Sequence, residues 1–138
     1  MCAEDQELAR VCYDAALSVA PELVIMVLAG TAQETAVRSL GAPYAGEIFA
    51  DRAYNDDATL VDRKWPGAVI HDAGIAGPRI TEMVRAGAII TETGKRIETR
   101  IDTICLHGDG PTAIAIAKSV RENLEAAGIK VQKFKGEA

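Results

Sequence analysis

Aromatic side chains are scarce in this chain of 138 residues: one Trp, three Tyr and two Phe, 4% in all. Ala, Ile and Val are common instead, a balance that suits helices packed on a β-sheet better than a β-sandwich. Cysteine is sparse too. The three present, Cys2, Cys12 and Cys105, form neither an even disulfide framework nor a metal-ligand spacing. Cys105 sits in an apolar run and reads as a small core residue. No stretch is long or apolar enough to cross a bilayer, so no membrane partner is expected. The start, Met1-Cys2-Ala3-Glu4-Asp5, carries acid rather than a basic leader, and a cytoplasmic location is the expectation. A basic stripe is also missing. The net charge is −5, and Lys118, Arg121, Lys130, Lys133 and Lys135 alternate with Glu122, Glu125 and Glu137 as on a solvated surface. Nucleic acid is therefore not an expected partner. There is no Walker loop, dinucleotide fingerprint or zincin helix. Ser18, Ser39 and Ser119 all fall in expected helices, which leaves a Ser-His-Asp triad without a nucleophile. With two histidines far apart in sequence, no metal site is expected within the chain.

What is present describes a soluble globular domain. Hydrophobic residues make up 49% and charged residues 25%, and the length allows a single domain, residues 1–138, with a real core. Leu8, Val11, Cys12, Ala15, Ala16 and Val19 recur at helical spacing over Glu4 to Ala20, and Pro21 ends the run. Leu23 to Ala29 reads as a buried strand. A helix should follow, with Thr31 as N-cap, Glu34 completing a capping box and Gly41 closing it. Tyr44 to Ala50 is a second strand. The polar stretch Asp51 to Lys64 is too long for a tight connector, and long ordered loops are often functional. Gly74, Gly77 and Pro78 are expected to delay the next helix to Pro78–Ala86. Ala88 to Thr91 and Arg96 to Thr99 form a hairpin about Thr93-Gly94-Lys95. A last unit comprises strand Thr103 to Leu106, helix Thr112 to Ala127, Gly128 as cap and a short strand Ile129 to Phe134. This alternation gives an α/β class with a mostly parallel sheet and outer helices.

Three clusters lie at the ends of strands: Asp51-Arg52-Ala53-Tyr54, His71-Asp72 and His107-Gly108-Asp109. Ligands of α/β proteins are held at the carboxyl ends of parallel strands, so the three should gather on one rim. Gly108 and Gly110 are expected to let the backbone turn sharply there. An imidazole and a carboxylate at that turn can move protons or hydrogen-bond a polar substrate. The helix start that follows offers free N–H groups to an anion. Each cluster also has a plainer reading: Asp51 and Arg52 as a loop ion pair, Asp72 as a helix cap, Asp109 as the cap of the last helix.

The runs Phe49-Ala50-Asp51-Arg52-Ala53-Tyr54, Pro66-Gly67-Ala68-Val69-Ile70-His71-Asp72 and Asp102-Thr103-Ile104-Cys105-Leu106-His107-Gly108-Asp109 together resemble the LamB/YcsF family. That family includes the A-subunit of bacterial 5-oxoprolinase. The resemblance covers nearly the whole chain and implies a partial (β/α) barrel. It further implies ATP-dependent opening of the 5-oxoproline lactam to glutamate, together with the B and C subunits of 5-oxoprolinase. On that basis His107 and Asp109 are the expected catalytic pair. Asp51, Arg52 and His71 are the expected substrate-binding residues, and Gly108 and Gly110 the expected cofactor-binding positions. The chain resembles the C-terminal half of the family, without its acidic N-terminal motifs or Lys-Pro-His-Gly segment. It also carries Gly110-Pro111-Thr112 where Thr-Pro-Gly is common. A half barrel leaves strand edges unpaired, so a homo-oligomer or pairing with a separate N-terminal half is expected. The alternative is a non-catalytic remnant or assembly module. A metal-dependent deacetylase-like hydrolase follows from fold analogy alone.

Overall fold

A computed structural model describes residues 1–134; Lys135 and Glu137 of the mixed-charge tail lie outside the described residues. Helix α1 (Gln6–Val19) begins where Asp5 accepts a hydrogen bond from the Leu8 amide at 3.0 Å. Strand β1 (Ile25–Leu28), helix α2 (Ala32–Ser39) and strand β2 (Tyr44–Phe49) follow. At the start of α2 Thr31 accepts from Gln33 N, while Glu34 accepts from Gly30 N at 2.8 Å. The expected capping box is thus present, shifted by one residue on each side. Glu34 also accepts from Thr99 Oγ1 at 2.8 Å and from Tyr44 Oη at 3.3 Å, so this one carboxylate ties the α2 start to β2 and to the later hairpin.

After a long excursion come helix α3 (Ala73–Ala86), the antiparallel hairpin β3 (Ala88–Ile90) and β4 (Arg96–Glu98), strand β5 (Thr103–Cys105) and helix α4 (Ala113–Ala126). The main sheet runs β1-β2-β5, all parallel, with Leu28 opposite Glu47 and Phe49 opposite Cys105. The fold is therefore α/β with a parallel sheet and outer helices, as the alternation implied. Its principal core joins Ile48 of β2 and Ala50 just after it, Ile80 and Met83 of α3, Ile89 of β3, and Ile116, Val120 and Leu124 of α4. Each large side chain buried there contributes about 1.5–3 kcal/mol. A second cluster of Ile25, Val27, Val37 and Tyr44 is covered by half-buried Tyr13 and Leu17 of α1.

Three expectations need correction. Helix α3 starts at Ala73 rather than Pro78, because Asp72 accepts from Gly74 N at 2.7 Å and caps it. Pro78 therefore lies inside the helix. The carbonyl it leaves free, on Gly74, is at an exposed residue where water can satisfy it. Residues Ile129 to Phe134 form no strand; they run beside the open edge of β5 and help line a groove of about 950 Å³ with Ile104, Leu106 and Leu124. Finally, Gly108 and Gly110 do not adopt positive φ, and a Cβ at either would meet nothing within 4 Å. The turn they occupy does not require glycine. Among the described residues no helix is long and apolar enough to cross a membrane.

Candidate functional site

Burial fixes the carboxyl end of β2. The Ala50 amide donates to Cys105 O at 3.1 Å, and the Phe49 amide donates to Tyr54 Oη at 2.7 Å. Tyr54 is fully buried, and that burial pushes its phenol up to about 12, so the hydroxyl stays protonated. Arg79 of α3 donates to Phe49 O at 3.5 Å and Arg52 O at 2.9 Å, with its guanidinium 5.6 Å from the Tyr54 ring centre. Burial lowers its own affinity for the proton. The chain then folds back on itself. Ile70 N donates to Asp51 O at 2.9 Å and Ala53 N to Ala68 O at 3.1 Å, which brings His71 beside the strand end.

Across this rim His107, just beyond β5, places Nδ1 2.6 Å from Asp51 Oδ2. A carboxylate has no proton to give, so Nδ1–H donates, and in the neutral ring Nε2 is left as the acceptor. The Phe49 ring stacks on the imidazole, with centroids 5.6 Å apart and planes 29° from parallel. Asp51 is 7% exposed, and its second oxygen, Oδ1, is buried with no hydrogen-bond partner among the described residues. An unpaired buried acceptor costs about 1–3 kcal/mol and calls for a donor from outside the chain.

A cavity of about 190 Å³ opens here, lined by Asp51, Arg52, Arg63, His71, His107 and Asp109 and closed by Gly110, Thr112 and Ala113 at the start of α4. The structure therefore gathers every sequence-predicted site residue except Gly108, which does not line the cavity. Their roles differ. Asp51 engages the imidazole. Arg52 spends Nε on Ala68 O at 3.2 Å and Nη2 on Val61 O at 2.6 Å, bracing the excursion. Burial and the neighbouring Arg63 charge together lower the Arg52 proton affinity. His71 and Asp109 are exposed. Asp109 does not cap α4, whose N-cap, Thr112, makes no side-chain hydrogen bond.

Sequence reasoning passes over two residues. Arg63 belongs to the cavity lining, but in the sequence it is one charge of a polar loop. Glu47 lies mid-strand in β2; burial raises its affinity for a proton, while the nearby His107 charge works against that. An acidic residue inside an apolar strand was the available signal. Cys105 is half-buried rather than a core residue, and partial burial raises the affinity of its thiol for the proton. Among the described residues no three His, Cys, Asp or Glu side chains gather to hold a metal. The cavity measures about 190 Å³, below the roughly 300–1,000 Å³ typical of drug-sized ligand sites.

A parallel sheet brings a His–Asp pair to a small cavity at its carboxyl rim, the place where α/β proteins hold their ligands. The chain belongs to the LamB/YcsF family, whose model matches residues 1–138. It is 66% identical over 134 residues to a 5-oxoprolinase A-subunit from Ruegeria pomeroyi, covering 97% of this chain and 53% of that protein. It is 48% identical over 133 residues to a 5-oxoprolinase A-subunit from Rhodopseudomonas palustris, covering 96% and 52%. Its fold matches the crystal structure of a lactam utilization protein from Thermus thermophilus with a TM-score of 0.81 and 36% identity, covering 96% and 53%. The chain thus spans about half the length of the curated relatives it matches.

Proposed function

We propose that this chain supplies one wall of a site that opens the lactam of 5-oxoproline, with His107 as proton-transfer residue and Asp51 as its positioning partner. The observation that carries this reading is the 2.6 Å Asp51–His107 contact at the strand rim. The relatives' name, which is that of a 5-oxoprolinase component, supplies the substrate. In this mechanism Nε2 of the neutral imidazole takes a proton from the attacking water as its oxygen bonds to the lactam carbonyl carbon. The same nitrogen returns that proton to the ring nitrogen as the C–N bond breaks. Asp51 holds the ring in the tautomer that leaves Nε2 free and stabilises the imidazolium that forms. His71 and Asp109 line the cavity mouth, where they contact the ligand's polar edge. ATP dependence is carried by the resemblance alone. Partner subunits are part of the proposal, since the relatives' name is that of one subunit among several.

The test is ATP-dependent glutamate release from 5-oxoproline by the chain combined with the B and C subunits of 5-oxoprolinase and the remaining half of the A-subunit. His107→Ala should abolish the release. Undiminished activity in that variant would remove the reading.

A second reading, an assembly module, is favoured by one observation: β5 is paired on one side only among the described residues, beside the groove of about 950 Å³. An open edge with apolar surroundings recruits another strand. Light scattering showing a stable monomer that gains no mass when mixed with the other half would count against it.

A further inference from the structure

We infer that Arg63, together with the free Nη1 of Arg52, recognises an anionic oxygen group on the cavity's ligand, a carboxylate carried on a small ring. The lactam reading above supplies only the identity of that ring. Arg52 is 7% exposed, its side-chain hydrogen bonds go to the neutral carbonyls of Ala68 and Val61, and among the described residues no carboxylate lies within 4 Å of its nitrogens, the Asp51 and Asp62 charges acting from farther away. Among the described residues its Nη1 makes no hydrogen bond. A buried guanidinium with no carboxylate in direct contact gains from an anion that arrives from outside.

Arg63 adds a second positive charge at the same cavity and likewise makes no ion pair or hydrogen bond among the described residues. Its neighbours do not neutralise it, because Asp62 pairs with Lys64 at 2.9 Å. The two acids of the lining do not either: Asp51 is engaged by His107, and Asp109 forms no ion pair with either arginine. The start of α4 reinforces the positive potential. Thr112 and Ala113 line the cavity, and no side chain caps that helix. The cavity's volume of about 190 Å³ has room for one small ring with its substituent.

Arg63 is the residue to change, since it is exposed and has no structural bond to lose, whereas Arg52 braces the fold. Calorimetric titration of the chain combined with the remaining half of the A-subunit, as wild type, Arg63→Ala and Arg63→Lys, would use four probes: 5-oxoproline, 2-pyrrolidinone, cyclopentanecarboxylate and inorganic phosphate. Both carboxylates should lose about tenfold or more in affinity in Arg63→Ala, as expected for a charge-assisted contact, and recover in part in Arg63→Lys. The uncharged 2-pyrrolidinone should bind both forms equally. Phosphate binding that depends on Arg63 and exceeds that of the carboxylates would support the anion site and assign it to a phosphoryl group. Cyclopentanecarboxylate binding without 5-oxoproline binding would remove the lactam reading and leave this inference standing. Anions that bind wild type and Arg63→Ala equally, or no anion binding to wild type, would overturn it.

Discussion

Gly77→Ala tests how tightly the two helices behind the site are joined. A Cβ built on Gly77 would meet Ser119 Oγ, would lie 2.6 Å from Asn123 Nδ2 and would lie 2.8 Å from the Ser119 carbonyl oxygen. The two side chains are not free to retreat. Ser119 Oγ donates to Ala73 O, and Asn123 Nδ2 donates to Ser119 O at 2.8 Å. Inserting a methyl into such a contact costs about 1–3 kcal/mol. Disturbing the two hydrogen bonds adds about 0.5–1.5 kcal/mol each at most, while alanine's helix preference returns about 0.5–1 kcal/mol. The net expectation is a loss of about 2 kcal/mol, or a Tm lower by about 6–10 °C for a chain of this size. Urea unfolding should show a lower midpoint with an unchanged slope. Adding Ser119→Ala should restore only part of the loss, because the backbone carbonyl remains in the way. A Gly77→Ala variant as stable as wild type would refute the close α3–α4 contact. It would also weaken the account of the site, since α3 carries Arg79 and α4 begins at the cavity.

Other expectations follow from the site. Asp51→Asn in the reconstituted enzyme should lower turnover by about 10²–10⁴-fold with little change in KM, the range associated with a general base; a loss appearing wholly in KM would instead make Asp51 a substrate binder. Tyr54→Phe leaves the buried Phe49 amide without its acceptor and should cost about 1–3 kcal/mol in chemical denaturation, with no cost if water replaces the hydroxyl. For Glu47, burial raises the folded-state pKa above its ordinary value. Its ionised form is therefore the disfavoured one, and stability is lost as pH rises from the ordinary carboxylate range through the folded pKa. Glu47→Gln should raise Tm at neutral pH and leave it unchanged below that range; equal Tm values at neutral pH would contradict the desolvation.

Signals in the sequence are legible where the structure is decided locally. The Thr31–Glu34 helix start, the hairpin about Gly94 and the alternation of β1, α2, β2 and β5 all depend on neighbours within a few residues. The start of α3 is different: glycine and proline read as breakers, while Asp72 caps a helix that begins at Ala73, five residues before the expected start at Pro78. Ile129 to Phe134 has the apolar content of a strand but finds no strand to pair with among the described residues, and pattern alone does not reveal a partner. The site is legible as residue types and not as connections. Asp51 and His107 are 56 residues apart, so their contact follows from the β2–β5 register rather than from any spacing. Arg52 has the composition of a ligand-binding residue, yet most of its hydrogen bonds hold its own loop. Arg63 carries no signal in the sequence, because its place at the rim depends on the excursion folding back.

The most direct test of the central claim is the ¹⁵N NMR signature of the His107 imidazole during titration with 5-oxoproline. The Asp51 contact predicts a ring protonated at Nδ1 and unprotonated at Nε2 when neutral, with ligand addition shifting Nε2 strongly and Nδ1 little. A ring protonated at Nε2, or one whose nitrogens do not respond to the ligand, would contradict the account.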